Sequence, residues 1–176
     1  MMHKFFGRLA TARSFVFAMV SFAALALSAF DTPYLTFRSA TSFSISITKR
    51  WDGTLQKATS NPTEESSWSD WTGTSIAAVQ TGGQYYIYLR GKNNTFITGG
   101  TSTYSGFTLS GSNIYCEGDI ETLRDYEGNP LAMATGCYRY LFSNCSSLKS
   151  APVLSATMLA NGCSLLKKQL QILLIN

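Results

Sequence analysis

Histidine is almost missing from this chain: the one residue, His3, stands at the third position. With none beyond it, Ser-His-Asp and Cys-His nucleophilic catalysis lack their general base, and imidazole-held metals lack a ligand. Cysteine is scarce too, at four residues. No two stand as C-x-x-C, so a zinc site lacks its ligand spacing. Charge is thin: 14% of residues carry one, and the formal +4 misleads. Setting aside Lys4, Arg8, Arg13, Lys167 and Lys168 leaves nine basic residues against ten acidic ones between positions 31 and 166. A nucleic-acid binder needs a basic stripe to displace counterions from phosphate, and none is visible. The expectation is a protein that is not an enzyme, holds no cofactor or metal, and has no nucleic-acid partner.

Hydrophobic content is ordinary at 45%, enough for a core, and fourteen glycines with abundant Ser and Thr favour short strands and tight turns. An uncharged, largely apolar run, Ser14 to Phe30, follows Lys4, Arg8 and Arg13 and ends in small residues. Residues 1–30 therefore read as an export signal, or as an uncleaved membrane anchor at the lower limit of spanning length. Either way the remainder is expected outside the cytoplasm, at the cell surface or beyond. Its membrane contact is then limited to residues 14–30, and only if they are retained.

From residue 31 to 118 the pattern is that of a small antiparallel β-sandwich-like domain. Tyr34-Leu35-Thr36-Phe37, Phe43-Ser44-Ile45-Ser46-Ile47, Gly53-Thr54-Leu55-Gln56-Lys57 and Tyr85-Tyr86-Ile87-Tyr88-Leu89-Arg90 are expected strands. Thr95-Phe96-Ile97-Thr98, Phe107-Thr108-Leu109 and Ile114-Tyr115-Cys116 complete the set, at a spacing that suits a sandwich or open barrel. Asn61 to Ser67 reads as a polar loop, and Gly91-Lys92-Asn93-Asn94 as another. Residues 119–130 form a linker in which Ile120 to Tyr126 has room for one or two helical turns, with Asp119 as N-cap.

The strongest internal signal comes next. Ala134-Thr135-Gly136-Cys137 returns as Ala160-Asn161-Gly162-Cys163, 26 residues later, and periods of 20–50 residues mark solenoids. Cys137-Tyr138, Leu141-Phe142, Cys145, Ser147-Leu148, Ala151-Pro152, Leu154 and Ala156-Thr157 fill the interval. This pattern resembles the BspA-like leucine-rich repeat family of bacterial surface proteins, whose gut Bacteroidetes members carry such coils in tandem. Trp51-Asp52-Gly53-Thr54-Leu55, Leu89-Arg90-Gly91 and Gly118-x-Ile120-Glu121-Thr122-Leu123 are similar to the β-domain that precedes the coils. The resemblance covers residues 34–163 and implies a mainly β chain: the sandwich-like domain followed by the start, about one coil, of a leucine-rich solenoid. Its repeat-defining positions are Cys137, Phe142, Cys145, Leu148, Pro152, Leu154 and Cys163. The coil is placed at 131–163. The apolar stretch 164–176 departs from the family, which would have Tyr-x-x-Met-Phe after Cys163, as in a truncated or frame-shifted product. A lone coil cannot bury its own inner face, so Leu141, Phe142, Leu148, Leu154 and Leu159 are expected to find almost nothing to stack on.

Three groups of side chains invite a functional reading, each beside a structural one. Cys116, Cys137, Cys145 and Cys163 allow two disulfides in an exported protein, but small buried thiols also suit a coil interior, and the second reading is favoured. Glu117, Asp119, Glu121, Asp125 and Glu127 could supply a carboxylate pair for glycoside cleavage or hold calcium. They read better as a solvated junction with one N-cap. Trp68, Trp71, Tyr86 and Tyr88 are the candidate ligand platform, rings that could stack on a sugar or grip a protein. Asn93-Asn94-Thr95 matches a glycosylation sequon and reads as a turn. The implied role is adhesion or binding at the cell surface, with an unknown protein or glycan as partner. The alternatives are a carbohydrate-binding β-module and a non-functional fragment.

Overall fold

The computed structural model describes residues 33–47, 51–95, 106–129, 138 and 140–153. The segment 1–30, the expected strand positions Phe96–Thr98, Cys137, Leu154, Leu159, Cys163 and the stretch 164–176 lie outside the described residues.

Nine strands are described, in two antiparallel sheets. The larger holds β1 (Leu35–Ser39), β3 (Thr54–Ala58), β4 (Ser69–Asp70), β6 (Val79–Thr81), β7 (Gln84–Lys92) and β9 (Tyr115–Glu117). Its order is β4-β3-β7-β1-β9, with β6 also pairing β7. The smaller has the order β5-β2-β8, from β2 (Ser44–Ile47), β5 (Ser75–Ala77) and β8 (Phe107–Ser110). The chain is mainly β, as its alternation indicates, and the sheets do not form a solenoid.

Strict alternation decides what each strand buries. Ile45 and Ile47 of β2 point inward with Phe43, while Ser44 and Ser46 face out. Leu35 and Phe37 of β1, Leu55 of β3, Ile87 and Leu89 of β7 and Cys116 of β9 fill the facing layer. Phe37 meets Phe107 of the other sheet edge to face at 5.5 Å. Each fully buried Leu, Ile or Phe contributes about 1.5–3 kcal/mol, so this interior dominates stability. Strand β7 runs two residues further than the sequence suggested: Gly91 and Lys92 remain paired with Leu55 and Thr54, and the turn begins at Asn93. A Cβ on Gly91 would lie 1.8 Å from the Leu123 carbonyl oxygen, so only glycine lets the 3-10 turn Ile120–Leu123 sit against the strand. Asp119 caps that turn, its carboxylate accepting from the Glu121 amide at 2.9 Å.

The described residues after position 137 share this core. Tyr138, Leu141, Phe142, Cys145 and Leu148 are buried among the side chains of both sheets. The Phe142 ring lies 6.5 Å from Phe37 and 5.6 Å from Phe107. The expectation that Leu141, Phe142 and Leu148 would have nothing to stack on is thus corrected: the sheets supply the missing surface. Successive three-residue turns carry the chain around, Leu141 N donating to Tyr138 O, Ser143 N to Tyr140 O and Leu148 N to Cys145 O. Asn144 adopts φ 63, a left-handed conformation that Asn tolerates better than most residues.

Candidate functional site

Alternation along β7 puts Ile87 and Leu89 inside and aims Tyr86, Tyr88 and Arg90 at the opposite, outer face of the large sheet. Register assembles the neighbours. Gln56 pairs with Arg90, Ala58 and Thr36 flank Tyr88, and Arg38 stands between Tyr86 and Tyr115. The Tyr86 and Tyr88 rings are stacked, 5.8 Å apart and 8° from parallel. Trp68 packs against the Ala58–Tyr86–Tyr88 cluster and meets Tyr34 edge to face at 4.8 Å.

Arg90 is the centre of this face. Only 1% exposed, it is among the largest fully buried side chains, although it stands on the face away from the main core. Its guanidinium carbon lies 3.7 Å from the Tyr126 ring centroid, 4.3 Å from Trp68 and 5.8 Å from Tyr34. Aromatic faces attract a cation through their quadrupole, which offsets part of the lost hydration. The polar edge is met as well: Nε donates to Gln56 Oε1 at 2.7 Å, and Nη2 pairs with the Glu65 carboxylate. That bond from Arg90 outweighs the opposing desolvation and, with help from Tyr126, holds the Glu65 carboxyl below its ordinary range. Burial, then the neighbouring Tyr86, pushes the Tyr88 hydroxyl up to about 12.

The four-residue platform expected from the sequence is therefore corrected in two ways. Trp71 is not part of it: the ring is 3% exposed, inside the main core and 6.2 Å from Trp51. Trp68, Tyr86 and Tyr88 do come together, but Tyr86 and Tyr88 are covered, at 9% and 1% exposure. Sequence reasoning missed Arg90, Tyr34, Gln56 and Tyr126. A charged residue two places beyond two alternating tyrosines was the available signal for Arg90.

The acidic run is occupied by structural work. Glu117 receives two bonds from the Arg38 guanidinium, at 2.9 and 2.6 Å, and Glu127 pairs with Lys92 at 2.5 Å. Asp119 is the cap already described. For Asp125, burial raises the carboxyl, but bonds from the Asn93 amide, Asn129 and the Glu127 amide together leave it below its ordinary range. Glu117, Asp119, Asp125 and Glu127 are thus each engaged in an ion pair, a cap or a turn. Among the described residues no group of three or more Cys, His, Asp or Glu is placed to hold a metal ion.

Cys116 and Cys145 are free and buried. Burial pushes the Cys145 thiol up to about 11 and the Cys116 thiol well above its usual range, so neither is a nucleophile at neutral pH. Cys145 Sγ donates to Phe107 O at 3.1 Å. Within the sequon, Asn93 takes φ 57 in the turn and Thr95 Oγ1 binds Asp52 Oδ2 at 2.5 Å. Asn94 is fully buried and bonds three backbone groups. No family model matches the chain, and no curated protein or solved structure matches it.

Proposed function

We propose that the chain is an exported, non-enzymatic cell-surface protein with an adhesion or binding role, in which a β-module carries the first coil of a leucine-rich repeat stack. The observation that supports this reading is a parallel pairing at the sheet edge. Leu148 bridges Ile114 and Val153 bridges Asp119, in parallel and at the same separation along the chain. Lys149 N donates to Ile114 O at 2.7 Å, and Val153 N to Gly118 O at 2.7 Å. Between them the Ser150 hydroxyl accepts from Cys116 N and donates to Cys116 O, both at 2.9 Å, replacing a backbone rung. Parallel rungs on a shared core are the growth mode of a solenoid. The shift from antiparallel β1–β9 to this parallel rung is where a stack of coils would begin. Buried Phe142, Cys145, Leu148 and Pro152 suit the inner face that the resemblance assigns to them. Protease added to intact cells that make the full chain should degrade it; survival until lysis would refute surface exposure. Immobilised full chain should retain surface proteins of a host cell, and failure on every protein and glycan tested would refute a binding role.

A second reading, a carbohydrate-binding β-module, is favoured by the gathering of Trp68, Tyr34, Tyr86, Tyr88 and Arg90 on one face. Tyr86→Ala, which removes a ring of the stacked pair, should abolish glycan retention in a folded protein. Trp71→Ala should instead act through stability, because that ring is core.

A further inference from the structure

Residues Asn61–Trp68 cross the outer face of the large sheet on few anchors. Their backbone hydrogen bonds among the described residues are internal: Thr63 N to Asn61 O, Ser67 N to Glu64 O and Trp68 N to Glu65 O. The 3-10 turn Glu65–Ser67 has no side-chain cap and no buried residue. What fastens the segment is side chains at three positions. Pro62 is buried, Glu65 pairs with Arg90, and Trp68 packs on Arg90, Tyr34 and the tyrosine stack. A segment with so few buried contacts and no backbone ladder opens at low free energy, well below global unfolding. Its Trp68 packs against the buried cluster of Ala58, Tyr86 and Tyr88, rings that sheet geometry alone would leave facing solvent.

We propose that Asn61–Trp68 is a strap that Arg90 latches shut over a saccharide platform formed by Tyr34, Tyr86, Tyr88, Arg90 and Gln56. Opening removes Trp68 and Glu65 together, because the Arg90 guanidinium touches both. It leaves parallel aromatic rings beside a planar cation and a carboxamide. Apolar ring surface for sugar CH groups, with a few fixed polar groups for paired hydroxyls, is the composition a saccharide site needs. The ligand class rests on the carbohydrate reading above; the strap does not.

Tyrosine nitration of the folded full chain, mapped by mass spectrometry, tests the strap. Tyr115, 37% exposed, reports that the reagent works, and Tyr138, fully buried in the main core, reports global opening. In the unaltered chain Tyr115 is modified while Tyr86 and Tyr88 are protected. Glu65→Ala or Trp68→Ala should raise modification of Tyr86 and Tyr88 by about fivefold or more, the effect of at least ~1 kcal/mol on an opening equilibrium, with Tyr138 unchanged. Unchanged protection of Tyr86 and Tyr88, or Tyr138 opening in step with them, would overturn the strap. A glycan array run with the unaltered chain and Glu65→Ala separates the two ideas. Binding gained in the variant supports both, and equal, non-zero binding overturns the strap. Opening without any glycan bound by either protein overturns the saccharide alone.

Discussion

Replacing Asn94 tests whether one side chain clips three segments together. Its Oδ1 accepts from Gly53 N at 2.8 Å, and its Nδ2 donates to Thr54 O at 2.8 Å and Leu123 O at 3.0 Å. The residue is fully buried, between the start of β3 and the turn at Ile120–Leu123. In Asn94→Ala the bond to Leu123 O is lost in a dry setting, costing about 1–3 kcal/mol for an orphaned group. The two bonds nearer the surface cost less, about 0.5–1.5 kcal/mol each, because water can reach Gly53 and Thr54. The sum is about 2–6 kcal/mol, a large part of a stability of about 5–15 kcal/mol. With an m value of about 1.5 kcal/mol/M, a loss near 3 kcal/mol moves the urea midpoint down by about 2 M, read from the fluorescence of Trp51 and Trp71.

Asn94→Asp sharpens the test. It keeps the acceptor for Gly53 but points a carboxylate oxygen at two carbonyls, so the charged form is disfavoured when folded and its folded pKa rises. The penalty is then greatest above that raised pKa and is relieved as pH falls below it, since a protonated oxygen can donate to one carbonyl. A midpoint shift under about 0.5 M in Asn94→Ala, together with no acid relief in Asn94→Asp, would refute the clip.

Gly91→Ala drives a methyl group to 1.8 Å from Leu123 O and should cost at least about 1–3 kcal/mol; an unchanged thermal midpoint would refute the close approach. Ser150→Ala leaves the buried Cys116 amide without its partner, costing about 1–2 kcal/mol, and hydrogen exchange at that amide should rise by about tenfold. Exchange at the unaltered rate would remove Ser150 from the parallel rung. The Tyr88 hydroxyl is raised from 10.0 to about 12 by burial and then by Tyr86, so its stabilising contribution is full below pH 10 and lost as pH rises through 12. Tyr88→Phe should flatten alkaline unfolding in that window, and an identical profile would refute the shift. Glu65 is held below 4.5 chiefly by the bond from Arg90, so its pairing persists above that pH and is lost as pH falls through the lower folded value. Trp68 fluorescence should change in that acid range and stay flat in Glu65→Gln.

Strands with an apolar period were legible. Phe43–Ile47 and Tyr85–Arg90 alternate, and both became strands because one face had a core to fill. β4, β5 and β6 were not legible. Ser69–Asp70 and Val79–Thr81 bury nothing, and Ser75–Ala77 buries only Ile76. These strands exist through hydrogen bonds to β3, β7 and β2, which leave no mark on composition. One local signal did exist: Gly82 and Gly83, at φ 59 and 84, form the two-residue turn that right-twisted hairpins prefer. Two glycines between Thr81 and Gln84 were enough to place the β6–β7 hairpin. At the candidate site, alternation correctly set Tyr86 and Tyr88 apart from Ile87. It could not reveal that a segment about twenty residues upstream covers them, because Trp68 and Trp71, three residues apart, look alike until the sheet assigns them to opposite sides.

The expectation that Leu141, Phe142 and Leu148 lack a partner fails although its premise is sound. A coil cannot bury its inner face alone; the mistake was to count only other coils as partners. The edge beside β9 offers backbone donors and acceptors at strand spacing, and Phe37, Ile114 and Cys116 offer an apolar surface at the same edge. Ser147, Lys149 and Val153 use the backbone groups, while Phe142, Cys145 and Leu148 use the apolar surface. The requirement for stacking is therefore met by a sheet whose other strands run antiparallel, provided one rung can switch direction. That switch falls at Ser150, where a hydroxyl that both donates and accepts replaces the backbone pair a regular ladder would supply. A residue with only one of those capacities would leave either the Cys116 amide or its carbonyl orphaned, so Ser150 ties the segment around it to β9 through both groups.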